Sequence, residues 1–167
     1  MRSAIEIANW MIANGGKYDL THLKVQKLLY IAFGCHAAKH NEFMFYDPIE
    51  AWQYGPVVQS VYQDLKWTGS DIIKRPITLE WGGVETPILG DDRQKEVETL
   101  QNVFTHFGSF TASQLVRWSH EIDGPWDETY DDGRGRLKEI CKQKIRRHFI
   151  KRLGAILPRA RLSIKIG

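Results

Sequence analysis

The apolar positions of this chain fall into helical stripes along most of its length. Ile5, Ala8 and Ile12 recur at three- and four-residue spacing among polar neighbours, which predicts an amphipathic first helix. Ser3 and Glu6 stand at capping-box spacing ahead of it, and Asn14-Gly15-Gly16 is its stop signal. A second helix is expected from near Thr21 to His40. Val25, Leu28, Leu29, Ala32 and His36 share one face of it, and Tyr30 and Phe33 widen that stripe. A helix apolar over so much of its circumference belongs at the centre of a core. Asp47-Pro48 breaks the pattern, and Ile49 to Tyr54 reads as extended. Gly55-Pro56 then reads as the N-cap and first residue of a third helix, with Val58, Val61, Tyr62 and Leu65 inward and Thr68-Gly69 as its end.

From Ile72 to Leu89 the periodicity changes. Ile77 to Trp81, Gly82-Gly83 and Val84 to Leu89 read as a β-hairpin, with Pro76 and Pro87 marking edge strands. Helical spacing returns at about Arg93 through Val97, Leu100, Phe104 and Phe107, and Gly108 stops it. Thr111 and Gln114 form a second capping box, opening a short helix through Trp118 that Gly124-Pro125 breaks. Asp131 to Gly135 reads as an exposed polar loop. A last helix is expected from about Arg136 to Leu153, with Leu137, Ile140, Cys141, Ile145, His148 and Phe149 inward. Beyond Pro158 the alternation of Leu162, Ile164 and Ile166 with polar residues fits either a strand or a disordered basic tail. The expected fold is mainly α: a single compact helical domain of about six helices with a small antiparallel β-hairpin. It spans residues 1–153, followed by a basic C-terminal tail at 154–167.

Charge changes this picture at one end. From Arg134 onward twelve Lys and Arg face one acid, Glu139, a charge of +11; the remaining residues carry −8, which returns the overall +3. A basic end on an acidic body implies an anionic partner or a segment that folds back on its own body. There is no apolar run of bilayer length and no signal-peptide pattern at the N-terminus, which points to the cytoplasm. Cys35 and Cys141 both fall in apolar helical patterns and are expected as buried free thiols.

Candidate chemistry is sparse. His120 with Glu121 and Asp123 has the composition of a general base beside an orienting carboxylate, but no nucleophile accompanies it; a structural hydrogen bond is the default reading. His36 and His40 stand at helical metal-ligand spacing, yet His36 lies on the apolar stripe and no further ligand pattern supports a metal. Ser109, Thr111 and Ser113 lack a nucleophile-elbow motif, and no phosphate-binding glycine loop is present. Neither a metal nor a cofactor is expected. Trp52, Trp118 and Trp126 are read as core. Gly55 and Pro56 either set a chain corner or present a helix N-terminus to an anionic group.

Three segments carry a further signal together: Leu23 to Gly34 (LKVQKLLYIAFG), Glu50 to Val58 (EAWQYGPVV) and Trp118 to Trp126 (WSHEIDGPW). In this order and at these spacings the chain resembles the Panacea-type antitoxin domain family, also described as SocA-like or phage-associated. The elements that carry the resemblance are Gln26 to Tyr30, Trp52 with Gly55-Pro56-Val57, and His120 with Pro125-Trp126; Ser119 stands where the family often has threonine. The resemblance implies an antitoxin that neutralises a cognate toxin, encoded by the adjacent gene, through direct protein binding and without catalysis. Its alternatives are an adaptor that delivers the toxin to a protease, or a nucleic-acid-binding accessory protein of a phage or mobile element. The basic helix has few aromatics for base stacking, so a protein partner ranks above nucleic acid. Partner contacts are expected at Gly55 and Pro56, at Trp81 in the hairpin, and at Arg146, Arg147 and Arg152 on the last helix.

Overall fold

The computed structural model describes residues 2–77 and 93–156, with seven α-helices and a two-stranded antiparallel sheet among them. The fold is mainly α. Helix α1 (Ala4–Asn14) starts at Ser3, whose hydroxyl accepts from the Glu6 amide while the Glu6 carboxylate accepts from the Ser3 amide, the reciprocal cap its sequence predicts. Asp47 caps the same end: its carboxylate accepts from the Ala4 amide at 2.7 Å and from the Ser60 hydroxyl at 2.6 Å.

Helix α2 (His22–His40) is the axis of the molecule. Thr21 caps its start, and Asn41, in the left-handed conformation at φ 56°, ends it. Every residue from His22 to Ala37 is buried except Leu23, because α1, α3, α4, α5, α7 and the hairpin all pack around this one rod. The central position expected from its apolar circumference is the observed one. Phe33 stacks on Phe43 at 5.4 Å and meets Phe45 at 4.9 Å, closing one end of the core.

Strands β1 (Ile49–Trp52) and β2 (Gly55–Val58) form the hairpin, with Trp52 opposite Gly55 and Ile49 opposite Val58. Gly55-Pro56 therefore does not start a helix; the correction is to strand, and α3 (Gln59–Leu65) begins three residues later. The β-branched Val57 and Val58 continue the pleat. The hairpin expected between Ile77 and Leu89 lies outside the described residues apart from Ile77 itself. The Ile77 amide donates to the Asn9 side-chain oxygen at 2.6 Å, and the Asn9 amide donates back to the Ile77 carbonyl at 3.1 Å.

Helix α4 (Gln94–Phe107) ends at its Gly108 stop signal, and α5 (Ala112–Ser119) begins on a full Thr111–Gln114 capping box. Gly124-Pro125 does not break α5, which has already ended at Ser119. It opens α6 (Pro125–Tyr130), with glycine as N-cap, proline at the first position and Asp127 and Glu128 in the first turn. The last helix, α7 (Lys142–Ile156), starts later than its periodicity suggests. Leu137 takes a left-handed φ of 67° and is exposed, and the chain then runs beside β1: the Ala51 amide donates to the Lys138 carbonyl, and Leu137 and Ile140 donate to Ala51 and Ile49. Unsatisfied sheet groups overrode helical spacing here. Cys141 is correspondingly exposed, against the expectation of a buried thiol, whereas Cys35 is buried. Among the described residues no helix is long and apolar enough to cross a membrane.

Candidate partner-docking site

The three segments singled out in the sequence meet at the outer edge of β2. In an antiparallel pair, alternate residues bond the neighbouring strand and the rest point away. On the far side of β1, Ala51 and Ile49 spend their groups on the chain at Leu137 to Ile140, so opposite them Pro56 and Val58 face α2. Each outward group is answered. Proline has no N–H to satisfy. The Lys27 ammonium donates to the Pro56 carbonyl at 2.8 Å. The Gln26 side-chain oxygen accepts from the Val58 amide at 2.8 Å, and its NH2 donates to the Val58 carbonyl at 3.2 Å. Two side chains of α2 thus stand in for a third strand, and the edge is closed.

Gly55 is required at the corner. Its φ is +101°, and a Cβ there would lie 2.7 Å from Ser119 Oγ and 3.0 Å from Lys27 Nζ. The third segment packs over the same corner. The Trp126 indole donates to the Trp52 carbonyl at 2.8 Å. His120 stacks on Trp126 at 3.7 Å with the rings 4° from parallel. Trp52 in turn meets Tyr62 at 4.7 Å, and Tyr62 meets His22 at 5.0 Å. Trp126→Phe should keep these ring contacts but remove the second donor on the Trp52 carbonyl, which stays paired with Gly55 across the turn; urea unfolding is expected to show a loss of about 1 kcal/mol.

Lys27 dominates the electrostatics. It is fully buried and no carboxylate pairs with it among the described residues; burial alone brings its ammonium down to about 7. His22 and His120 are both held below the ordinary histidine value, by burial first and by the Lys27 charge second. The imidazoles are therefore neutral packing groups at physiological pH.

Ser119 donates its hydroxyl to the Val116 carbonyl of its own helix at 2.8 Å. Glu121, the candidate orienting carboxylate for His120, instead reaches α7, where it pairs with His148 at 3.1 Å and with Arg152. His36 bonds Thr99 through Nδ1 at 3.3 Å, and burial, followed by the neighbouring His40, brings its pKa down to about 4. No group of three or more His, Cys, Asp and Glu able to hold a metal occurs among the described residues.

The residues expected to touch a partner are distributed unevenly. Gly55 and Pro56 are buried within the clip and shape the corner from inside; the exposed residues of that turn are Gln53 and Tyr54. Trp81 lies outside the described residues. Arg147 faces solvent, Arg146 is half-buried, and Arg152 is half-buried across Trp118 in its pair with Glu121. Two surface residues were not expected from the sequence: Tyr54, 64% exposed, and Ile122, 82% exposed. A signal for Ile122 was present: a large aliphatic residue inside the polar turn His120 to Gly124 has no local reason to be there.

The domain is mainly helical, and its signature polar residues close a hairpin edge. The SocA-like antitoxin family with the Panacea domain matches residues 25–127, more than half of the chain, and the chain belongs to that family. It is also similar to Antitoxin SocA of Caulobacter vibrioides (strain NA1000 / CB15N), at 32% identity over 125 residues. That similarity covers 72% of this chain and 66% of the relative's length, just under two thirds. No solved structure matches.

Proposed function

We propose that this chain neutralises a cognate toxin by binding it directly, in the cytoplasm and without chemistry of its own. The observation that carries this reading is the fate of the signature residues. Gln26, Lys27, Ser119 and Trp126 direct hydrogen bonds at backbone carbonyls or amides of the chain itself, and His120 stacks on Trp126. What they leave at the surface is a fixed turn and loop, which is a recognition element. The free Cys35 and Cys141 agree with a reducing compartment.

The test is co-expression with the product of the neighbouring gene, scoring growth and co-purification together. Rescue of growth with a stable complex is the expected result. Rescue accompanied by disappearance of the neighbour protein would replace direct neutralisation with delivery to a protease. A neighbour that stays toxic while this chain is abundant would refute the reading for that pair.

A further inference from the structure

We propose that Tyr54 and Ile122 are the apolar anchors of the toxin-docking surface and that Arg147 and Lys151 form its cationic rim. The partner it fits is a toxin protein presenting an apolar socket bordered by carboxylates. This inference rests on the neutralisation reading and names the surface that performs it.

The parts of the surface are linked. Tyr54 occupies the β1–β2 turn, where Trp126, stacked on His120, donates to the Trp52 carbonyl. Ile122 stands two residues after His120, and Glu121 between them bonds His148 and Arg152 of α7. Arg147 and Lys151 flank His148 on that helix and face solvent. Turn, loop and helix are thus tied to one another by these contacts.

The surface is also rigid. Backbone on both sides of Tyr54 is fixed, by Trp126 at the Trp52 carbonyl and by Lys27 at the Pro56 carbonyl. On the loop side the Gly124 amide bonds the Glu121 carbonyl, and the Asp123 amide bonds the Asp127 carboxylate. Two large apolar side chains, 64% and 82% exposed, thus stand on a base that loses little freedom on binding. Exposed apolar groups so placed mark interaction sites, and aromatic anchors dominate them.

Charge gives the partner its sign. Glu121 is neutralised by Arg152 and Glu128 by Lys144, at 3.0 Å. Arg147 and Lys151 make no ion pair among the described residues, so the helix side of this face is left cationic. Trp67, 80% exposed, is a weaker anchor: its indole bonds the Asp64 carbonyl of its own turn, and none of the three signature segments supports it.

The experiment uses the purified full chain and the purified neighbouring-gene toxin, with affinity measured by calorimetry and rates by surface binding. Tyr54→Ala and Ile122→Ser are each expected to weaken Kd tenfold or more. Arg147→Glu with Lys151→Glu is expected to slow association and remove most of its salt dependence. Trp67→Ala should bind as the parent does. All these positions are exposed, so unchanged melting temperatures will confirm that the variants fold. Wild-type binding with unaltered Kd in Tyr54→Ala and Ile122→Ser overturns the surface and leaves neutralisation standing; loss of binding only in Trp67→Ala overturns it as well. A wild-type chain that does not bind the toxin removes both readings together.

Discussion

Gly34→Ala is expected to destabilise the domain even though it puts the best helix former in the middle of a helix. Propensity favours alanine there by about 1 kcal/mol. Against this, the added Cβ would lie 2.3–2.5 Å from three ring atoms of Phe149, in the contact where α7 lies against α2. Phe149 is fully buried and held by Tyr30, edge-on at 5.5 Å, and by Trp118 at 5.7 Å, so its ring has no vacant space to enter. Overpacking of this kind costs about 3 kcal/mol or more, leaving a net loss of about 2 kcal/mol. Gly34→Leu should expel the ring altogether and forfeit about 4 kcal/mol, a large share of the roughly 5–15 kcal/mol that holds a domain together. Chemical unfolding measures both. Combining Gly34→Ala with Phe149→Leu should recover part of the loss, a non-additivity that distinguishes this clash from a general weakness of α2. The consequence reaches the docking surface, because α7 carries Arg147 and Lys151.

Three helix starts were legible because their determinants are local. Ser3, Thr21 and Thr111 cap α1, α2 and α5 through bonds to residues three positions on, which a sequence displays directly. The two Gly-Pro pairs show where that locality ends. Gly124 has φ −78° and caps α6, whereas Gly55 has φ +101° and turns a hairpin. The residues just after each pair separate them: Asp127 and Glu128 suit a first helical turn, and Val57 and Val58 suit a strand. Read with their successors, the two pairs could have been assigned correctly. No comparable signal existed for Leu137 to Cys141, where the sheet edge at β1 decides the backbone, nor for the bonds from Gln26 to Val58 and from Asn9 to Ile77. These join residues 32 and 68 positions apart. The basic helix was legible as a charge run, but which of its cations turn back onto the body depends on where α5 and α6 place Glu121 and Glu128.

Lys27 supplies the second large effect and a pH signature of the edge clip. Its folded-state pKa is about 7, whereas an unfolded lysine titrates near 10.4. Between these values the unfolded chain binds more protons than the folded one, so stability rises with pH across the window and is lost as pH falls toward 7. The slope approaches about 1.4 kcal/mol per pH unit once the folded amine is neutral, giving a gain of about 1.5 kcal/mol from pH 7 to 8.5. Other groups do not obscure this interval. The buried imidazoles have lowered pKa values and act below it. Cys35 acts above it: burial pushes its thiol up to about 12, so the unfolded chain gives up that proton first and stability falls from about pH 9. Lys27→Met fills similar volume but leaves the buried Pro56 carbonyl without a donor, at a cost of about 1–3 kcal/mol. It also removes the cost of neutralising a buried ammonium, which still weighs on the parent at pH 7 and weighs less at pH 8.5. The variant should therefore lack the rise to pH 8.5, so that its stability relative to the parent falls by about 1.5 kcal/mol over the interval. Urea unfolding of both proteins at these two pH values measures the difference. A parent whose stability is flat over the interval would mean that the ammonium stays charged in the fold, and that a group other than the Pro56 carbonyl compensates it.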